Sequence, residues 1–178
     1  MSAVQIDPKL ADGMIDKALA FCASKAFSGD GKKAKTALRD GKCDVCSYFC
    51  YGLAKQVAEY LGQIDPTVKA VYVFEPEYAQ GGDAPLGNGA PVAQPPSSIN
   101  MVAWVKRKSA ALHALVEALD TSLSGRVRGR LRCKQAASAC YTLDVQMVDD
   151  AEVRERRGYG ALVHSLYVRP IQVWSRTA

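Results

Sequence analysis

The chain has 178 residues, 48% of them apolar, and carries 23 Lys and Arg against 18 Asp and Glu. That length and apolar content supply one well-packed core and leave little room for two independent domains, so a single domain spanning 1–178 is expected. The opening residues lack a basic region followed by an apolar run, and charged residues interrupt every stretch approaching the roughly 18 to 20 residues needed to span a bilayer. A cytoplasmic protein with no membrane association is the expectation.

Asp7-Pro8 starts a helix, with Asp as cap and Pro at the first helical position, and Leu10, Met14, Ile15, Ala18, Leu19 and Cys22 follow the helical period to about Ala26. The next segment, Ser-Gly-Asp-Gly-Lys-Lys-Ala-Lys-Thr, reads as a basic connection. It lacks the spacing of a phosphate loop and has no Gly-Lys-Ser/Thr. A second helix is predicted from Cys43 to Leu61 on the stripe Cys46, Phe49, Cys50, Leu53, Val57, Tyr60 and Leu61, ending at Gly62. Thr67 to Glu75 is rich in β-branched and aromatic residues and bounded by prolines, which predicts a strand. Ile99 to Lys106 reads as a strand with apolar residues on both faces, near the middle of a sheet.

Between these strands, residues 76–97 interleave Pro76, Pro85, Pro91, Pro95 and Pro96 with Gly81, Gly82, Gly87 and Gly89. A loop of that length inside one domain is expected to be mobile, with a lid over a small-molecule site near Glu75 and Tyr78 as the other reading. Ser109 caps a third helix carrying Leu112, Leu115, Val116, Leu119 and Leu123, with a terminator at Ser124-Gly125.

Directly after that terminator the chain reads Arg-Val-Arg-Gly-Arg-Leu-Arg. In a strand, Arg126, Arg128, Arg130 and Arg132 would fall on one face about 6.6 Å apart, close to the phosphate pitch of a nucleic acid strand. Four guanidiniums rather than ammoniums suit bidentate phosphate or carboxylate recognition. Two plainer readings compete: an edge strand whose charges discourage aggregation, and a helix in which Arg126 with Arg130 and Arg128 with Arg132 would repel. Lys106, Arg107 and Lys108 would extend the same surface if the two strands were neighbours. From Lys106 to Lys134 there are eight basic residues against Glu117 and Asp120, which points to an anionic partner.

Cys140 to Val148 alternates Tyr141, Leu143, Val145 and Met147 with polar residues and is expected to pair with the Arg strand as a hairpin, with Asp144 across from the stripe. Trp104 and Tyr141 could stack on bases if they faced outward, although both belong to apolar strands. Asp149-Asp150 caps a short helix to about Arg157, with Glu152 and Arg156 spaced for a surface pair. Ala161 to Val168 fits either period, and Pro170 to Arg176 reads as a last strand.

Cys43, Cys46 and Cys50 form Cys-x2-Cys-x3-Cys, the partial spacing of a zinc or iron-sulfur site that Cys22, Cys133 or Cys140 could complete. The same spacing places all three on the apolar stripe of the second helix, and without a second Cys-x2-Cys pair a core role is the expectation. His113 and His164 are the two histidines, and there is no nucleophile elbow, metalloprotease or dinucleotide motif. No cofactor is implied.

Together these elements predict an α+β domain: a largely antiparallel sheet of about five strands, covered on one face by two to three longer helices. The leading expectation is a non-catalytic domain that holds a polyanion, nucleic acid by preference, through the Arg-striped strand. The alternative is a structural or protein-interaction module that forms homo-oligomers through its sheet.

Overall fold

A computed structural model describes residues 4–74, 98–131, 142–167 and 169–176. The elements run α1 (Pro8–Ala26), α2 (Gly31–Arg39), α3 (Cys43–Ile64), β1 (Val68–Phe74), β2 (Ser98–Val105), α4 (Ala110–Leu131), β3 (Thr142–Val148), α5 (Asp150–Glu155), a 3-10 helix (Gly158–Leu162) and β4 (Pro170–Ser175). The predicted loop at 76–97 lies outside the described residues, as do Arg132, Cys133, Cys140 and Tyr141.

The expected cap forms at α1, where the Asp7 carboxylate accepts from the Lys9 N–H at 2.8 Å. α2, read from the sequence as a connection, is a helix because the Asp30 carboxylate accepts from the N–H groups of Lys32 and Lys33 while Ala34, Ala37 and Leu38 turn inward. Nine residues with three inward side chains give too short a periodic signal to register against the flanking glycines.

α4 departs most from expectation. It does not stop at Ser124-Gly125 but continues to Leu131, so Arg126, Arg128 and Arg130 are helical and the Arg strand does not exist. The physical cause is the apolar row Leu112, Val116, Leu119, Leu123, Val127 and Leu131, all buried at helical intervals along one face. Gly125 and Gly129 sit on the open side, where an added Cβ would meet nothing within 4 Å. At the far end, the Arg39 Nε of α2 donates to the Leu131 carbonyl at 3.3 Å and satisfies one of the helix's terminal acceptors.

Among the described residues the sheet has four strands, in the order β3-β2-β1-β4, where about five were expected. β1 pairs antiparallel with both β2 and β4, while β3 lies parallel to β2 with Asn100 opposite Asp144 and Trp104 opposite Val148. The predicted hairpin is therefore replaced by a crossover, in which α4 carries the chain from β2 to its parallel neighbour. With three longer helices on one face, the α+β class and the helical cover stand as expected.

The two faces of the sheet are buried in different ways. Val71, Val73, Met101, Ala103, Val105, Leu143 and Met147 join the main core with α1, α3 and α4. Ala70, Tyr72, Phe74, Val102 and Val148 on the other face are covered by Val153 of α5, Leu162 of the 3-10 helix and Val163. That second face is thus covered within the chain by these elements. Among the described residues no helix is long and apolar enough to cross a membrane.

Two glycines mark close approaches. Trp174 of β4 lies flat against Gly62 near the end of α3, and Gly160 abuts the backbone of Glu152, where a Cβ would stand 2.5 Å from the carbonyl carbon. Gly160→Ala must push the 3-10 helix away from α5, and a loss of about 1 to 3 kcal/mol is expected. The urea midpoint checks this, and an unchanged midpoint would show that the packing of these two elements is not tight.

Candidate anion-binding surface

The cover on the outer face is held by polar contacts at the end of the sheet where α5 begins. β1 carries a register shift between Val68 and Ala70, at Lys69, whose ammonium reaches Asp150 with distances of 2.6 and 2.7 Å to its two oxygens. The Trp104 indole N–H donates to the same carboxylate at 2.7 Å, and the Lys69 ammonium lies 5.2 Å from the centroid of that indole. Trp104 is therefore engaged between β1 and α5, with the exposed His164 ring standing edge-on at 6.3 Å. Asp149 and Glu152 form a reciprocal capping box, as the sequence led one to expect for Asp149.

Glu152 does not pair with Arg156. It accepts a contact of 2.7 Å from the Lys108 ammonium, while Arg156 closes α5 in the left-handed conformation with φ 52°. This ion pair holds the segment 106–108 against α5. Lys106, Arg107 and Lys108 are exposed, as are Arg154, Arg156 and Arg157. Glu155 is shared by Arg157 at 2.7 Å and Arg154 at 3.7 Å, while Lys106, Arg107 and Arg156 make no ion pair among the described residues. Six basic side chains on segment 106–108 and around α5 thus share this region with Asp149, Asp150, Glu152 and Glu155, Asp150 being taken up by Lys69.

The Arg stripe itself is taken apart by the helix. At 100° per residue, Arg126 and Arg130 share a face and Arg128 points away from them. Arg126 contacts Asp12 at 3.4 Å, and Arg130 contacts both Asp12 and Asp16 of α1. The repulsion expected of two Arg residues four apart is offset by two Asp residues four apart on the facing helix. Arg128 is exposed. Asp144, expected opposite the stripe, instead accepts from the Gln146 amide at 2.6 Å on the exposed side of β3. Nor do the Arg residues merge with Lys106–Lys108, since Arg126 lies about 24 Å along α4 from Ala110.

The cysteines that are described pack in the core. Cys22, Cys46 and Cys50 are buried between α1 and α3; Cys43 opens α3, its side chain outside the described residues. Burial, with Cys46 and Asp44 adding to it, pushes the Cys22 thiol up to about 11, and burial likewise raises Cys50 well above the ordinary thiol range. The Cys22 thiol donates to the Val45 carbonyl. Among the described residues no group of three or more His, Cys, Asp or Glu side chains is placed to hold a metal ion.

A groove of about 590 Å³ opens between the N-terminal segment and α4, lined by Val4, Ile6, Pro8, Ala114, Glu117 and Ala118 among others. The expected small-molecule site falls on Glu75 and Tyr78, which lie outside the described residues.

Comparison with known protein families, with curated proteins and with solved structures finds no match.

Sequence reasoning recognised Lys106, Arg107 and Lys108 but not their neighbours. Arg154, Arg156 and Arg157 were legible as charges on a short helix. Nothing in their spacing announced that Glu152 would face Lys108 across 44 positions of chain.

The geometry fixes a pH response. The contact with Lys69, helped by the Trp104 N–H, holds Asp150 below the usual carboxylate range, and the contact with Lys108 does the same for Glu152. Their contribution is fully present above the unfolded values of about 3.9 and 4.3 and is lost as pH falls through the lower folded values. Stability is expected to hold between pH 7 and about 4.5 with respect to these groups and to fall below that. Asp150→Asn should cost about 1 kcal/mol or less at pH 7, because the pair is half-exposed, and should flatten part of the acid slope. Urea titrations from pH 3 to 7 measure both; the same acid slope in wild type and variant would exclude Asp150 as a source.

The buried thiols make a separate expectation. Cys22, Cys46 and Cys50 should resist iodoacetamide in the native protein and label on unfolding in denaturant, read peptide by peptide in a mass spectrometer. Fast native labelling of Cys22 or Cys50 would contradict their burial.

Proposed function

We propose that the protein is a non-catalytic binding domain for a polyanion, with nucleic acid as the partner class, and that its contact surface is formed by segment 106–108 together with Arg154, Arg156 and Arg157. The observation that carries this reading is the Lys108–Glu152 ion pair of 2.7 Å, which brings together two basic segments that are distant in the chain. Lys106, Arg107 and Arg156 supply charge that no carboxylate among the described residues neutralises. Guanidiniums at four of the six positions, Arg107, Arg154, Arg156 and Arg157, suit phosphate oxygens, which they can grip in pairs. Arg126 and Arg130 contribute less, since a ligand would have to displace Asp12 and Asp16.

This reading differs from a stripe centred on Arg126 to Arg132 in a way that mutation separates. In fluorescence anisotropy with a labelled oligonucleotide at 20 to 200 mM salt, affinity should fall steeply as salt rises. The triple change Lys106→Ala, Arg107→Ala and Arg156→Ala should weaken binding at low salt and lower the salt slope by about 2. The double change Arg126→Ala and Arg130→Ala should leave affinity within about two-fold, as expected of groups already in ion pairs, and act on stability instead. Absence of binding at low salt, or a triple variant that binds like wild type, would overturn the reading.

A further inference from the structure

The outer layer also exposes rings. Tyr159, two residues after Arg157, is 52% exposed, and in the turn after the 3-10 helix Leu166 and Tyr167 are 92% and 93% exposed. His164 between them is exposed too. A single surface tyrosine requires no explanation, but Tyr159, His164 and Tyr167 fall within nine positions on the element that directly continues the run Arg154, Arg156 and Arg157. Elsewhere among the described residues the exposed large apolar side chains are Val4, Tyr48 and Ile64, which are scattered and less open than Leu166 and Tyr167, while Tyr72 of the sheet is buried.

From this juxtaposition we infer that the surface takes single-stranded nucleic acid, with bases stacked on Tyr159 and Tyr167 and phosphates held by Arg107 and Arg156. The inference rests on the polyanion reading above. Cationic side chains interleaved with exposed rings match a strand whose bases are free to splay, because every base offers a π-face and every nucleotide a phosphate. Duplex fits less well: its bases are already stacked on each other, and α5, with six residues, is too short to fill a major groove. An anionic lipid surface would share the charge, but Leu166 is the one strongly exposed aliphatic side chain in this turn, against three rings with polar atoms.

The test compares a twelve-nucleotide deoxythymidylate oligomer, the same length of duplex, inorganic polyphosphate, and vesicles of phosphatidylcholine with phosphatidylserine, all at low salt. The oligomer is expected to bind about five-fold or more tightly than either polyphosphate or duplex. The double variant Tyr159→Ala and Tyr167→Ala should weaken oligomer binding by about five-fold or more and leave polyphosphate binding unchanged, while Tyr159→Phe with Tyr167→Phe should retain it. A 2-aminopurine placed in the oligomer should change its fluorescence on binding to wild type and not to the Ala variant. Both tyrosines are exposed, so far-ultraviolet circular dichroism should be the same in every variant.

Equal affinity for oligomer and polyphosphate, insensitive to the tyrosine changes, would overturn stacking and leave the polyanion reading in place. Preference for duplex, or binding to vesicles without binding to the oligomer, would also overturn the inference. No binding of any anion would remove the polyanion reading along with it.

Discussion

A four-stranded sheet that is apolar on both faces has to be covered twice, and the second cover is where this protein's distinctive surface arises. The first face is buried by long helices with apolar stripes, a large area that stabilises itself through the hydrophobic effect. The second is buried by a short segment running through α5 and the 3-10 helix, with Val153, Leu162 and Val163 as its apolar contribution. So little apolar area is supplemented by polar contacts at one end, and these are the contacts of Asp150 with Lys69 and Trp104 and of Glu152 with Lys108. The Lys108–Glu152 contact also joins the basic segment 106–108 to α5.

Charge in this chain is consequently sorted by what the acids are doing. Asp12 and Asp16 are spaced four apart on α1 and meet Arg126 and Arg130 spaced four apart on α4, so the most conspicuous basic run joins two helices. Asp150 and Glu152 are used by Lys69 and Lys108 in docking the cover. Lys106, Arg107 and Arg156 are left with exposed charge and make no ion pair among the described residues. A basic surface here is a remainder after structural pairing, and its location follows from the pairing rather than from local charge density.

Much of the helical framework was legible because long amphipathic stretches carry many repeats of one period. Asp7-Pro8 with the stripe to Cys22, and the stripe from Cys46 to Leu61, each sample several turns and admit one reading. The strand at 68–74 was legible from β-branched composition and flanking prolines, and that at 98–105 from apolar residues on both faces. The segment 126–132 was not, because Val127 and Leu131 are separated by four residues, a spacing that satisfies both a strand's period of two and one turn of helix. Continuity with Leu119 and Leu123 was the signal that could have decided it, and the Ser-Gly pair at 124–125 masked that continuity. With the strand gone the hairpin went too, and β3 joined β2 in parallel through the helix that replaced it.

The sequence by itself determined the class of fold, the apolar faces of α1, α3 and the first part of α4, the core role of Cys46 and Cys50, and the total of basic charge. These are properties of local pattern and composition, and neighbours in sequence suffice to express them. Tertiary structure alone decided which charges cancel, since Arg130 finds Asp16 across 114 positions and Lys108 finds Glu152 across 44. Electrostatic pairing acts over a few ångströms of space and is indifferent to distance along the chain, so a periodic row of arginines could not reveal whether a ligand or another helix would meet it.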